Sequence, residues 1–234
     1  MQLILFLLAV TLTECSGGAN EEPYRAGTMS DINHMSDQHR LFADLFRHYV
    51  KDIRPVLSHT DVIDIKFEIA LFNVLSLDSK TGLMSTNAEI ILEWTDPYLT
   101  WDPKAYNGTH IMRVPHYNIW EPDIILYNSA SPDYASSVIS TNAIIDYTGE
   151  VKLLRQAVFI STCNIDIQWY PFDQQTCDLY FGSRTGDIQQ IILHKGKSDI
   201  SRYQHNTEFV LENFYVSMDH IMDPCCTSPF ALVS

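Results

Sequence analysis

The sequence predicts an all-β sandwich of about ten short strands behind one N-terminal helix, folded as a single domain. Three observations carry this. Apolar residues recur at helical spacing once, over residues 36–50. From residue 63 onward the apolar period switches to two, the mark of half-buried strands. Turn-forming residues then divide the alternating runs at sandwich-like intervals. The composition supports a folded domain, because 234 residues with 46% hydrophobic side chains can bury a large core.

The first segment reads as an address. Residues 1–19 hold the apolar run Leu3-Ile4-Leu5-Phe6-Leu7-Leu8-Ala9-Val10 followed by the small residues Ser16-Gly17-Gly18-Ala19, which reads as a secretory signal peptide although no basic residue precedes the run. The domain is then expected over residues 20–234, secreted, extracellular and soluble, since no later run approaches the ~18 apolar residues needed to cross a bilayer.

Ser36 is placed to cap the helix, with Leu41, Phe42, Leu45, Phe46 and Tyr49 on one face, and Pro55 ends any continuation. In the first strand Ile63, Ile65, Phe67, Ile69 and Leu71 alternate with Asp64, Lys66 and Glu68; in the second Ala88, Ile90, Leu92 and Trp94 share a face. Further strands are expected at 111–114, 124–127, 138–147, 151–160, 179–181, 188–193 and 209–218, with Thr148-Gly149 as a hairpin turn.

Composition and motifs exclude several functions. Fifteen Lys and Arg against 29 Asp and Glu leave a net charge of −14, which repels nucleic acid and anionic membranes and welcomes cations. There is no G-x-S-x-G, H-E-x-x-H, G-x-G-x-x-G or P-loop, so no enzyme is expected. The histidines are scattered without ligand spacing, so neither a metal site nor a cofactor is expected. Asn107-Gly108-Thr109 is a glycosylation sequon.

Cysteine usage fits an oxidising compartment. Cleavage of the signal would remove Cys15 and leave Cys163, Cys177, Cys225 and Cys226, a set of four with three possible pairings. Cys163 and Cys177 enclose thirteen residues, and a bridge there would stabilise by about 3 kcal/mol on chain-entropy grounds. Within that loop Tyr170-Pro171 is a candidate cis peptide, and the apex Trp169-Tyr170-Pro171-Phe172 is apolar where exposure is expected. Cys225-Cys226 are neighbours: they either form a strained bridge of functional type or pair elsewhere.

Cys-x13-Cys around Trp169-Tyr170-Pro171-Phe172-Asp173 resembles the signature loop of pentameric Cys-loop receptors. Residues 94–101 (WTDPYLTW), 120–128 (WEPDIILYN) and Cys225-Cys226 agree. The chain resembles the extracellular ligand-binding domain of nicotinic acetylcholine receptors, and most of all the secreted acetylcholine-binding proteins. The resemblance implies an Ig-like β-sandwich and the pairings Cys163–Cys177 and Cys225–Cys226. It also implies a homopentamer, or a hetero-assembly with related subunits, that binds a small neurotransmitter-like ligand between subunits.

Carried over position by position, the resemblance places the ligand on Tyr127, Arg184, Asp223, Cys225, Cys226 and Phe230 of one principal face. The complementary face contributes Glu89 and Leu154. The family's site is an aromatic cage, each ring contributing about 0.5–2 kcal/mol to an ammonium. Here the central Trp position is Arg184, the complementary Trp position is Glu89 and the first capping Tyr position is Asp223. Only Tyr127 and Phe230 keep rings, which would move micromolar acetylcholine binding towards millimolar. Arg184 is then expected either to pair with Glu89 or Asp223, or to receive the carboxylate of an amino-acid ligand.

Eight residues follow Cys226, Pro229 among them, and are expected to be too short for the family's final strand. An alternative to the secreted binding protein is therefore a truncated receptor subunit that binds no ligand and acts by assembling with full-length subunits.

Overall fold

The computed structural model describes residues 35–133, 137–222 and 228–234. The signal-peptide segment, Asp223, Cys225 and Cys226 lie outside the described residues.

Helix α1, Asp37–Phe46, starts where the sequence predicts: the Ser36 hydroxyl accepts from the His39 amide, and Asp37 complements the helix dipole in the first turn. Leu41 is fully buried, and Phe42 stacks on Phe46 with centroids 4.6 Å apart. The helix ends four residues before the predicted limit, at residue 46 rather than 50. Tyr49 leaves the helical path to place its hydroxyl on Asp96 (2.6 Å) and to accept from the Trp120 amide (3.1 Å).

Among the described residues eleven strands follow: β1 (Ile63–Asp78), β2 (Leu83–Thr95), β3 (Ile111–Pro115), β4 (Ile124–Leu126), β5 (Val138–Ser140), β6 (Asn142–Asp146), β7 (Glu150–Thr162), β8 (Phe181–Ser183), β9 (Ile191–Asp199), β10 (Met218–Ile221) and β11 (Phe230–Val233). They form a sandwich of two sheets. One runs β3-β6-β7-β2-β1-β9, with β5 also on β7; the other runs β10-β11-β8-β4. All pairs are antiparallel except β1 with β9.

The predicted alternation holds, with the odd residues 63–71 of β1 and the even residues 88–94 of β2 facing inward. Phe181 of β8 lies 5.2 Å, centroid to centroid, from both Phe67 of β1 and Phe159 of β7, so three buried rings join the sheets. Rings at this spacing add to the stabilisation from area burial.

The turn at Thr148-Gly149 is where the sequence places it. Gly149 has φ +89°, and a Cβ there would lie 2.5 Å from the Asp96 carbonyl. Both conformation and space therefore demand glycine.

Several boundaries differ from the sequence reading, among them the run 179–181, which becomes strand only at Phe181 and continues to Ser183. The run 138–147 splits at Thr141, because β5 and β6 pair with β7 in different registers. The run 188–193 becomes a strand only at Ile191, since Asp187 closes a turn by accepting from the amides of Gln190 and Ile191. The run 209–218 is mostly not strand; it packs Val216 inward and enters a ladder only at Met218. The expectation that no strand follows Cys226 is corrected: β11 pairs with β8 and β10, and the amides and carbonyls of Ser217 and Ser234 are mutually bonded. Pro229 does not prevent this, because it precedes the strand and contributes only its carbonyl, to Ile188.

Cys163 and Cys177 form a disulfide with Cα atoms 5.0 Å apart, and Tyr170-Pro171 is cis. The loop apex is exposed as predicted, Phe172 to 91%. Among the described residues no helix is long and apolar enough to cross a membrane.

Candidate functional site

The motif segments that the sequence singles out are tied together in the fold. Asp96 is buried, accepts from Tyr49 and from the Tyr98 amide (2.9 Å), and its carboxyl is pushed above the usual range by burial. Trp94 and Trp120 meet edge to face at 5.9 Å. Glu121 bridges His116 Nδ1 (2.6 Å) and the Arg155 guanidinium. These contacts anchor the chain that leads into β4 and Tyr127.

Tyr127 follows β4. Its amide donates to the Tyr180 carbonyl and its hydroxyl to the Ser183 carbonyl, each at 2.7 Å. Its ring lies beside Gly182, where a Cβ would come within 3.0 Å of the ring and 2.9 Å of the Ala231 carbonyl. Glycine thus lets β4, β8 and β11 close up around the tyrosine.

Asp123 shapes the turn that carries Arg184. One carboxylate oxygen accepts from the Ser183 hydroxyl; the other accepts from the Thr185 amide (2.7 Å) and hydroxyl (2.6 Å). The Ser183 hydroxyl in turn accepts from the Gly186 amide at 2.8 Å. Arg184 donates its amide to the Asp123 carbonyl and is itself exposed. Phe230 sits on the neighbouring strand β11 but is only 5% exposed, so most of its ring is already covered within the protein. The four-stranded sheet therefore gathers Tyr127, Arg184 and Phe230.

Glu89 and Leu154 lie on the other sheet, on the outward-facing positions of β2 and β7. In register Glu89 stands between Ala70 of β1 and Gln156 of β7. Within the chain its side chain is 15% exposed and its carboxylate meets Arg202 at 3.4 Å. The Arg202 guanidinium lies 4.7 Å from the Phe72 ring centroid. A change of register in β1 between Leu71 and Asn73 frees the Phe72 carbonyl, which accepts from the Gln204 amide at 2.7 Å. Asn206 likewise donates to the Val74 carbonyl. Residues 199–206 are thereby laid along β1 with Arg202 over Glu89. They enclose a groove of about 360 Å3 whose walls include Phe72, Asn73, Glu89, Gln156 and Arg202.

Sequence reasoning finds Glu89 but misses Arg202, Phe72 and Asn73. Their relevance comes from a bulge and a long-range loop contact, and no local pattern signals either. Asn107 is exposed in a left-handed turn after the short 3-10 helix Pro103–Tyr106, and Thr109 bonds the Tyr106 carbonyl. Among the described residues no cluster of His, Cys, Asp and Glu is arranged to hold a metal ion.

Residues 38–232 match the family described as the neurotransmitter-gated ion-channel ligand binding domain, and the chain belongs to it. This is a family of ligand-binding domains of ligand-gated channels, not of enzymes. The chain is similar to acetylcholine receptor subunit alpha-1-B of Xenopus laevis, 32% identical over 203 residues that cover 86% of this chain and 44% of the relative. It is also similar to acetylcholine receptor subunit alpha-like 2 of Drosophila melanogaster, 36% identical over 83% of this chain and 36% of the relative. With neuronal acetylcholine receptor subunit alpha-5 of Rattus norvegicus it shares 34% identity over 90% of this chain and 47% of the relative. The chain thus spans less than half the length of these curated relatives.

Proposed function

We propose that this chain is the ligand-binding protomer of an extracellular homopentamer that takes a small neurotransmitter-like ligand between subunits. The apolar run at Leu3 to Val10 supports export, with residues 1–19 as signal and residues 20–234 as one domain.

The observation that carries the reading is the separation of the two half-sites. Tyr127, Arg184 and Phe230 lie on one sheet, and Glu89 and Leu154 on the outer face of the other. Two different patches on one chain are what a closed, head-to-tail ring joins at each interface. Asp223 and a Cys225–Cys226 bridge would complete the principal half, and Asn107 would carry glycan. With Arg184 and Glu89 at the cage positions, acetylcholine is bound weakly.

The same loss of rings favours a second reading, a receptor subunit that binds no ligand and assembles with related subunits.

The test is the molar mass of the secreted protein by light scattering. A mass near five chains supports the homopentamer; a monomer overturns it and turns attention to co-assembly with related subunits. In the pentamer, Arg184→Trp should restore choline binding if the site is a degenerate cage, and unchanged silence would remove that idea.

A further inference from the structure

Asn107-Gly108 is the one Asn-Gly pair in the sequence, and both residues are exposed in the turn that follows the short helix Pro103–Tyr106. Both have positive φ, 54° and 79°. Glycine sets no side chain beside the asparagine amide, and a Cβ built on Gly108 would meet nothing within 4 Å. The space in which the Gly108 nitrogen could swing onto the Asn107 side chain is therefore open.

The turn itself restrains that nitrogen. The Gly108 amide donates to the Pro103 carbonyl at 2.8 Å, and while it does so it cannot give up its proton. Single hydrogen bonds fasten the turn: the Asp102 carboxylate accepts from the Lys104 amide at 3.0 Å, and the Thr109 hydroxyl donates to the Tyr106 carbonyl at 2.7 Å. Exposed bonds of this kind open locally long before the whole fold does.

We propose that Asn107 is a site of succinimide formation, gated by opening of this turn and closed off by N-glycosylation. On opening, the Gly108 nitrogen loses its proton to a solvent base and bonds to Cγ of Asn107. The Cγ–Nδ2 bond breaks, and Nδ2 takes up a proton and leaves as ammonia. Water then opens the ring. Breaking the bond from nitrogen to Cγ gives aspartate; breaking the bond to the main-chain carbon gives isoaspartate, whose backbone is longer by a methylene. That extra methylene falls in the turn that docks α1, where Arg40 donates to the Ala105 carbonyl at 2.8 Å and Tyr106 donates to Asp44 at 3.0 Å. A glycan on Nδ2 encumbers the leaving nitrogen, so the two fates of Asn107 exclude one another.

The test uses the full secreted chain, made with and without an inhibitor of N-glycan transfer and aged at mildly alkaline pH. Isoaspartate is read by enzymatic methyl labelling and located by peptide mapping. Glycan-free protein should gain label at residue 107, while the glycosylated fraction stays unlabelled. Asp102→Ala and Thr109→Val, each lacking one fastening, should label about fivefold faster when glycan-free, the effect of one ordinary hydrogen bond on the opening equilibrium. Parent unfolded in urea sets the ceiling, and a variant already at that ceiling is scored as unfolded by its circular dichroism melt, leaving the other to decide.

No label at residue 107 in aged glycan-free protein overturns the proposal, as does equal labelling of the glycosylated fraction. Variants that label no faster than the parent overturn the gating by the turn. The inference rests on the glycoprotein reading only for the protected fraction: a secreted parent without glycan sinks that reading, and its own labelling still decides the cyclisation.

Discussion

Replacing Asp123 with alanine tests whether the turn bearing Arg184 is held by one carboxylate. The side chain accepts three hydrogen bonds, from the Ser183 hydroxyl and from the amide and hydroxyl of Thr185. Hydrogen bonds to a charged group contribute about 1.5–3 kcal/mol each, so simple addition would exceed 4 kcal/mol. Thr185 is exposed, however, and water can take over both of its donors. Ser183 is buried and keeps its contact with the Gly186 amide, yet its own proton loses an acceptor. The expected cost of Asp123→Ala is therefore about 3 kcal/mol. Asp123→Asn retains one acceptor oxygen and should cost about 1 kcal/mol. Urea unfolding of the three proteins, compared at equal m-value, reads these differences directly. A loss below about 1 kcal/mol for the alanine variant, or equal losses for both, would refute the argument that the carboxylate organises this turn.

Other outcomes follow from the same geometry. Tyr49→Phe strips a hydrogen bond from the buried Asp96 carboxylate and leaves the Trp120 amide without its acceptor, so a loss of about 2–3 kcal/mol is expected in thermal or urea unfolding. Burial raises the Glu93 carboxyl, but the hydrogen bonds from Lys152 and Lys66 outweigh it and hold the group below its ordinary 4.5. A depressed carboxylate stabilises above its unfolded pKa and loses that contribution as pH falls through the folded value. Glu93→Gln should thus flatten the acid side of a stability–pH profile by roughly 1 kcal/mol, and a profile parallel to the parent would contradict the pairing. Replacing Cys163 and Cys177 together should lower stability by about 3 kcal/mol, measured by denaturant unfolding of the non-reduced proteins. Loss of a glycan-sized mass increment on Asn107→Gln, by intact-protein mass spectrometry, checks the sequon; an unchanged mass would show that it is unused.

Local patterns in the sequence carried the helix start at Ser36, the inward faces of β1 and β2, the glycine turn at 149 and the Cys163–Cys177 loop. Each depends on residues close together in the chain: a cap reaches three residues, a strand face repeats every two, and a positive φ belongs to one residue. The family resemblance likewise rested on short motifs, whose Asp96, Glu121 and Asp123 prove to be the hydrogen-bonded struts of the fold.

Only the tertiary structure decided where strands end and which loops meet the site. Phe209 and its neighbours alternate like a strand but find no ladder partner, whereas Phe230 to Val233, read as too short, find two. Arg202 comes to Glu89 across 113 residues because a bulge in β1 exposes the Phe72 carbonyl to Gln204. Such pairings are settled by competition among backbone donors and acceptors over the whole sheet. No window of sequence contains that competition, so the polar groove became visible only when the chain was folded.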